Sequence, residues 1–364
     1  MRLFDCDHCG QPIHFDNRSC IHCGHRLGFV PERLTLHALE KEDDEAEELG
    51  ADAGQGGWRL VSNPHERVIF CANADHDICN WTVPAGSSEV FCAACRHNRL
   101  VPDAATEEGL QQWRRIGQAQ RHLFYSLLKW DLPLTTRAQD PQGGLVFDFL
   151  VDERRPDGSV IVPMTGHEDG LIAIRAAEAD DATREQIRVA MNEPYRTMLG
   201  HFRHEVGHFI WDKLVRDRDR LDPFRLAFGD ERADYSQALK RNYEEGPPQD
   251  WQEDFISTYA SAHPWEDFAE TFAHYVHIVD TLETARAFGM VVEPRGHEEM
   301  AAEVAFNPYF AHDAEQLVSA WIPFSVALNA MHRSMGVPDL YPFILGPTVV
   351  AKMEFIHGLV HRGR

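Results

Sequence analysis

Residues 202–211 read Phe202-Arg203-His204-Glu205-Val206-Gly207-His208-Phe209-Ile210-Trp211. Two His four positions apart project from one face of a helix, one above the other. A zinc ion can take both imidazoles, and the Glu between them points to the side where a metal-activated water would sit. The surrounding pattern is helical. Ile187, Met191, Tyr195, Met198, Phe202, Val206 and Phe209 recur at steps of three and four. His204 and His208 fall on the opposite side of that wheel and face a cleft. Pro194 interrupts the run, and the helix that bears the motif is expected to start there, since Pro suits a first helical turn. The competing reading is a solvated, His-rich helix face in a chain with 21 His.

A second acidic cluster, Glu266-Asp267-Phe268-Ala269-Glu270, lies downstream, with Tyr259 seven residues before it. A helix from Trp265 to about Leu282 puts Glu266, Glu270 and His274 on one face. Glu266 or Glu270 can supply a third ligand, and the other can accept the free ring N–H of a ligand His. His274 and His277 are weaker alternatives. Three protein ligands leave a fourth position open, as catalysis requires. Glu205 is then placed as general base. Tyr259 offers an O–H to a developing oxyanion, or else packs the loop before the helix.

All eight Cys lie in the first 95 residues. Cys6-x2-Cys9 and Cys20-x2-Cys23 form two knuckles, each followed by Gly, the pattern of a four-thiolate structural zinc site. Cys71, Cys79, Cys92 and Cys95 form a second set, in which His65, His76 or His97 could replace a thiolate. Disulfides are the competing reading, and they fit poorly with a cytoplasmic chain. The cytoplasm is expected because no basic-then-apolar leader and no bilayer-length apolar run occurs.

Composition bounds the rest. The 364 residues carry 43% apolar and 26% charged side chains, which suits a globular protein of two or three domains. A net charge of −23 makes nucleic acid or an anionic membrane an unfavourable partner. The expected order is a ribbon at 1–35, an acidic linker at 36–57, a second ribbon at 58–103 and a metallopeptidase domain at 104–364. Within the last, a helix runs from Glu107 to about Trp130. Strands follow at Leu145–Val151, Ser159–Met164 and Leu171–Ile174, the last with an edge open to an extended peptide. The charged stretch 217–250 reads as a loop around the cleft. The final 70 residues look mostly helical, with Trp321, Phe324, Leu328 and Met331 as core.

The paired ribbons, the run HFRHEVGHFIW and the later YASAHPWEDFAETFAHY resemble the zinc-binding metallopeptidases that carry an N-terminal zinc-ribbon domain. The resemblance covers nearly the whole chain. The catalytic half is also similar, in motif, to the gluzincin-like peptidases of the anthrax lethal factor type. There a Tyr stands seven residues before a ligand Glu and an E-x-x-A-E run follows. The resemblance implies an α+β, zincin-like fold. It also implies one catalytic zinc on His204, His208 and Glu266, Glu205 as base, Tyr259 as transition-state donor and Glu270 in support. Two structural zinc ions on the Cys sets complete the expectation. The implied substrate is a peptide or protein, and the ribbons could take a protein partner. The alternative is an inactive binding or regulatory protein on the same scaffold.

Overall fold

The computed structural model describes residues 2–42, 57–191 and 193–361. Most of the acidic stretch expected as a linker, 43–56, lies outside the described residues. The chain divides into two compact units. The fold is α+β and zincin-like: a β-rich part with the Cys clusters, a curled sheet with an adjacent helix, and a largely helical C-terminal part.

The first unit comprises Met1–Lys129, Val146–Met164 and Ile174–Ala179. Strands β1 (Phe4–Asp5) and β2 (Pro12–Ile13) pair around the first Cys knuckle. Gly10 and Gly24 have φ of +73° and +77°, and their N–H groups donate to the Cys6 and Cys20 carbonyls. A side chain would be strained at either turn. Strands β3 (Arg26–Val30), β4 (Thr35–Lys41), β5 (Trp58–Leu60), β6 (Asn63–Phe70) and β7 (Thr82–Pro84) form one antiparallel sheet in that order. The stretch read as the start of the linker is therefore strand, because Leu36, Ala38 and Leu39 are buried. The sheet curls until its ends meet: Phe29 N donates to Asn80 O, and Thr82 Oγ1 donates to Phe29 O. Phe15, Phe29, Trp81 and Tyr125 fill the interior, Phe15 meeting the other three edge to face and Phe29 lying tilted on Trp81. Tyr125 belongs to α1 (Glu107–Lys129), whose Trp113, Ile116, Leu123 and Leu127 are buried, with Leu110 and Leu128 half-buried on its flanks. Strand β8 (Asn98–Leu100) runs parallel to β9 (Val146–Leu150). The expected strand at 159–164 shrinks to a short hairpin, β10 (Glu153–Arg154) with β11 (Val160–Ile161).

The second unit comprises Trp130–Leu145, Thr165–Ala173 and Asp180–Arg364. Strand β12 (Gly166–Glu168) pairs antiparallel with the start of β13 (Leu171–Arg175). The edge of β13 expected to be open is thus already taken by a strand too short for periodicity to reveal. Helix α2 (Asp181–Ala190) is capped by Asp180, which accepts from Thr183 N. Helix α3 (Met198–Leu214) begins at Thr197, not at Pro194. Thr197 accepts from Gly200 N, and that cap, rather than proline, sets the start. The charged stretch holds two helices, α4 (Leu221–Phe228) and α5 (Tyr235–Glu245), before the single turn α6 (Trp251–Asp254). Helix α7 (Pro264–Ala287) follows, then the small pair β14 (Val291–Val292) and β15 (Ala302–Glu303), and helices α8 (Ala314–Ser334) and α9 (Pro347–His361). In α8, Trp321 and Phe324 are buried as expected, but Met331 is 51% exposed.

Helices α3 and α7 form the centre of this unit. Phe202, Val206, Phe209 and Ile210 of α3, with Phe268, Phe272, Val276 and Val279 of α7, are fully buried. They cross where both helices are small. A Cβ on Gly207 would stand 3.0 Å from Ala269 Cα. A buried Lys352–Asp267 pair at 2.6 Å joins α9 to α7. Arg203 of α3 pairs with Asp280 of α7, which also accepts from Tyr309.

Candidate metal centre

His204 and His208 rise one above the other from α3, with ring centroids 4.9 Å apart. Glu266 comes from the first turn of α7, where the helix dipole favours a carboxylate. Its Oε2 stands 3.1 Å from His204 Nε2 and 3.5 Å from His208 Nε2. All three residues are buried, and their ligand atoms lie within 4.8 Å of one another. A tetrahedral zinc with bonds near 2.05 Å needs its ligand atoms about 3.3 Å apart. The observed spacings bracket that value. Glu266 Oε2 is buried with no hydrogen-bond partner, so its lone pairs are free for an ion.

Charge argues the same way. Glu266 is buried beside the two imidazoles, and Glu270 meets the His204 ring. Burial alone would raise the Glu266 carboxyl, but His208 and His204 hold it well below the ordinary range. Burial alone would make His204 harder to protonate, yet Glu266 and Glu270 raise it well above its ordinary value. The pocket therefore demands positive charge, which a divalent cation supplies without protonating the rings. The residues fit zinc.

A supporting layer surrounds the three. Glu270 Oε1 meets His204 Nδ1 at 2.7 Å, so the ring's N–H has an acceptor and its Nε2 is left for the ion. Glu270 Oε2 accepts from Ser257 Oγ at 2.6 Å, and Ser257 accepts from Ala260 N. Burial opposes the Glu270 charge, but these partners outweigh it and hold its carboxyl down to about 2. The Trp265 ring lies 3.9 Å from the His208 ring. His167 of β12 stacks on His208 at 6.0 Å and also meets the Trp265 ring at 5.9 Å, and burial pushes it down to about 3, so it is neutral.

Glu205 is buried, and its charge acts on Tyr259 and Tyr235. Tyr259 lies 5.9 Å from His204, ring to ring. Burial and the Glu266 and Glu205 charges raise Tyr259 far above the ordinary phenol range, so it keeps its proton. Tyr235 is a residue that sequence reasoning missed. It donates to Glu266 Oε1 at 2.6 Å. Three acidic residues of the charged stretch are engaged away from the cluster: Asp230 with Arg232, Glu231 with Arg225, and Asp234 as the cap of α5. His274 is turned away to Tyr341.

The eight Cys gather into two sets, Cys6, Cys9, Cys20 and Cys23, then Cys71, Cys79, Cys92 and Cys95. Sulfur pairs stand at 3.6 Å and 3.7 Å. Four thiolates around one zinc at 2.3 Å would be about 3.8 Å apart, whereas a disulfide needs about 2 Å. All eight are free of disulfides. The second set needs no His in place of a thiolate.

Residues 109–359 match the family described as "Putative zinc-binding metallo-peptidase", and residues 3–106 match a zinc-ribbon domain. The chain belongs to this metallopeptidase family. Proteins of Mycobacterium bovis and of two Mycobacterium tuberculosis strains, each titled uncharacterized, are 40% identical to it over 362 residues. The alignment spans 99% of this chain and 95% of each relative. No solved structure matches it. Among the described residues no helix is long and apolar enough to cross a membrane.

Proposed function

We propose that this member of the metallopeptidase family is a zinc-dependent peptidase of the gluzincin-like, lethal-factor type, acting in the cytoplasm on peptide or protein substrates. Its hydrolase part is residues 104–364. The observation that carries the reading is the convergence of His204 Nε2, His208 Nε2 and the unpartnered Glu266 Oε2 on one buried point, with Glu205 between the two His. When bound there, zinc supplies Lewis acidity that brings the pKa of water from about 16 toward 7.

The chain's own residues then have distinct tasks. Glu205 accepts a proton from the attacking water and passes it to the leaving amine. Tyr259, kept protonated, donates to the carbonyl oxygen as negative charge develops. Glu270, held by Ser257, fixes the His204 tautomer. Gly166–Glu168 is the outer strand of its sheet among the described residues and can take an extended peptide as a further strand. The two Cys sets hold structural zinc, and the ribbons they brace are free to engage a protein partner.

Glu205→Gln tests the reading. It should leave zinc content unchanged and lower cleavage of a mixed peptide library by at least about a hundredfold. A variant that still cleaves at the parental rate refutes the role.

A further inference from the structure

Tyr235 opens α5 directly after its cap, Asp234. Its phenol is fixed on two sides. The ring meets the edges of His263 and Trp265, with centroids 5.3 Å and 5.9 Å away. The hydroxyl donates to Glu266 Oε1 at 2.6 Å. Glu266 is only 1% exposed while Tyr235 is 36% exposed, so the bond is buried on the carboxylate side and reached from the surface by the phenol. The two oxygens of one carboxylate are thereby given different partners. Oε1 is held by the phenol, and Oε2 faces the imidazoles.

That division matters for the number of donors. A carboxylate can hold an ion through one oxygen or both. Both oxygens of Glu266, with two imidazoles, would supply four donor atoms and close the site. One oxygen leaves the corner that catalysis requires. We propose that Tyr235 is a positioning residue that makes Glu266 a one-oxygen ligand and so keeps the fourth position vacant. The proposal rests on the reading of His204, His208 and Glu266 as the ligand set.

Tyr235→Phe removes the hydroxyl and keeps the ring packing. Full-length parent and variant are loaded with cadmium, whose NMR resonance separates a nitrogen- and oxygen-held ion from a thiolate-held one. Zinc affinity is measured in parallel by competition with a chelating dye. The His/Glu resonance is expected to move while the two thiolate resonances stay in place and report an intact fold. Zinc affinity at that site is expected to fall by about 10- to 100-fold, as loss of such supporting bonds does elsewhere. A His/Glu resonance that stays at its parental position overturns the proposal, whatever the affinity does. A parent that binds only two ions overturns the ligand reading and the proposal together. A parent that binds three ions but cleaves nothing defeats the peptidase reading, and the resonance still decides the role of Tyr235.

Discussion

Replacing Gly207 by Ala tests whether the closeness of α3 and α7 builds the metal centre. An added Cβ would lie 3.0 Å from Ala269 Cα, 3.2 Å from its carbonyl oxygen and 3.4 Å from its Cβ. Carbon atoms prefer about 3.5–4.0 Å, so the helices must part by a few tenths of an ångström. The obstacle is backbone, which cannot swing aside as a long side chain can. Overpacking of this kind costs about 1–3 kcal/mol, while Ala gains about 1 kcal/mol over Gly in helix propensity. The net loss in stability is therefore small, about 0–2 kcal/mol. Metal binding should suffer more. Ligand distances tolerate only about 0.2 Å, and Gly207 adjoins His208 while Ala269 lies one turn from Glu266. The expected result is near-parental unfolding in denaturant with at least about tenfold weaker zinc binding at one of three sites. A Gly207→Ala protein with parental zinc affinity at all three sites would refute the reasoning.

Lys352→Met should cost about 3–5 kcal/mol in denaturant unfolding, because it strands the fully buried Asp267 carboxylate. Adding Asp267→Asn should recover much of that loss; no recovery would mean that the cost came from packing against Phe255 instead. Asp16 accepts from His122 at 2.8 Å and from Gln118 at 2.9 Å, with Arg121 nearby. Burial works against its charge, yet these partners bring its carboxyl down from 3.8 to about 2. A depressed carboxyl stabilises the fold above its unfolded pKa and loses that effect as pH falls through the folded one. Asp16→Asn should therefore cost about 1 kcal/mol near neutrality, after allowance for its partial exposure, with the gap from the parent closing between about pH 4 and pH 2. A gap independent of pH would show that the charge is not the cause.

Much of this centre is legible in sequence because its geometry is local. The i and i+4 spacing of His204 and His208 needs only a helix, and the apolar stripe supplies one. Glu266 and Glu270 are likewise one turn apart, so a single helix puts one at the imidazole tips and the other beside a ring N–H. Distance in the chain hides the rest. Tyr235 reaches Glu266 from 31 residues upstream, out of a segment whose charges suggested a loop. Those charges turned out to be caps and pairs around two short helices, such as Asp234 on Gln237 N and Arg225 with Glu231. Gly166–Glu168 is only three residues long, so alternation could not announce it. The start of α3 was misplaced because Pro194 suits a first turn, whereas Thr197 supplies an acceptor that proline lacks.

The two Cys sets differ in access. Cys71, Cys79, Cys92 and Cys95 are all buried, whereas Cys9 and Cys23 of the first set are only partly covered. An ion held in the second cage would be shielded from water at all four ligands, so it would exchange slowly and be taken up most readily while the chain is still assembling. An ion in the first cage would exchange more readily. A cell short of zinc should then accumulate newly made chains that never mature, while molecules completed beforehand survive the shortage.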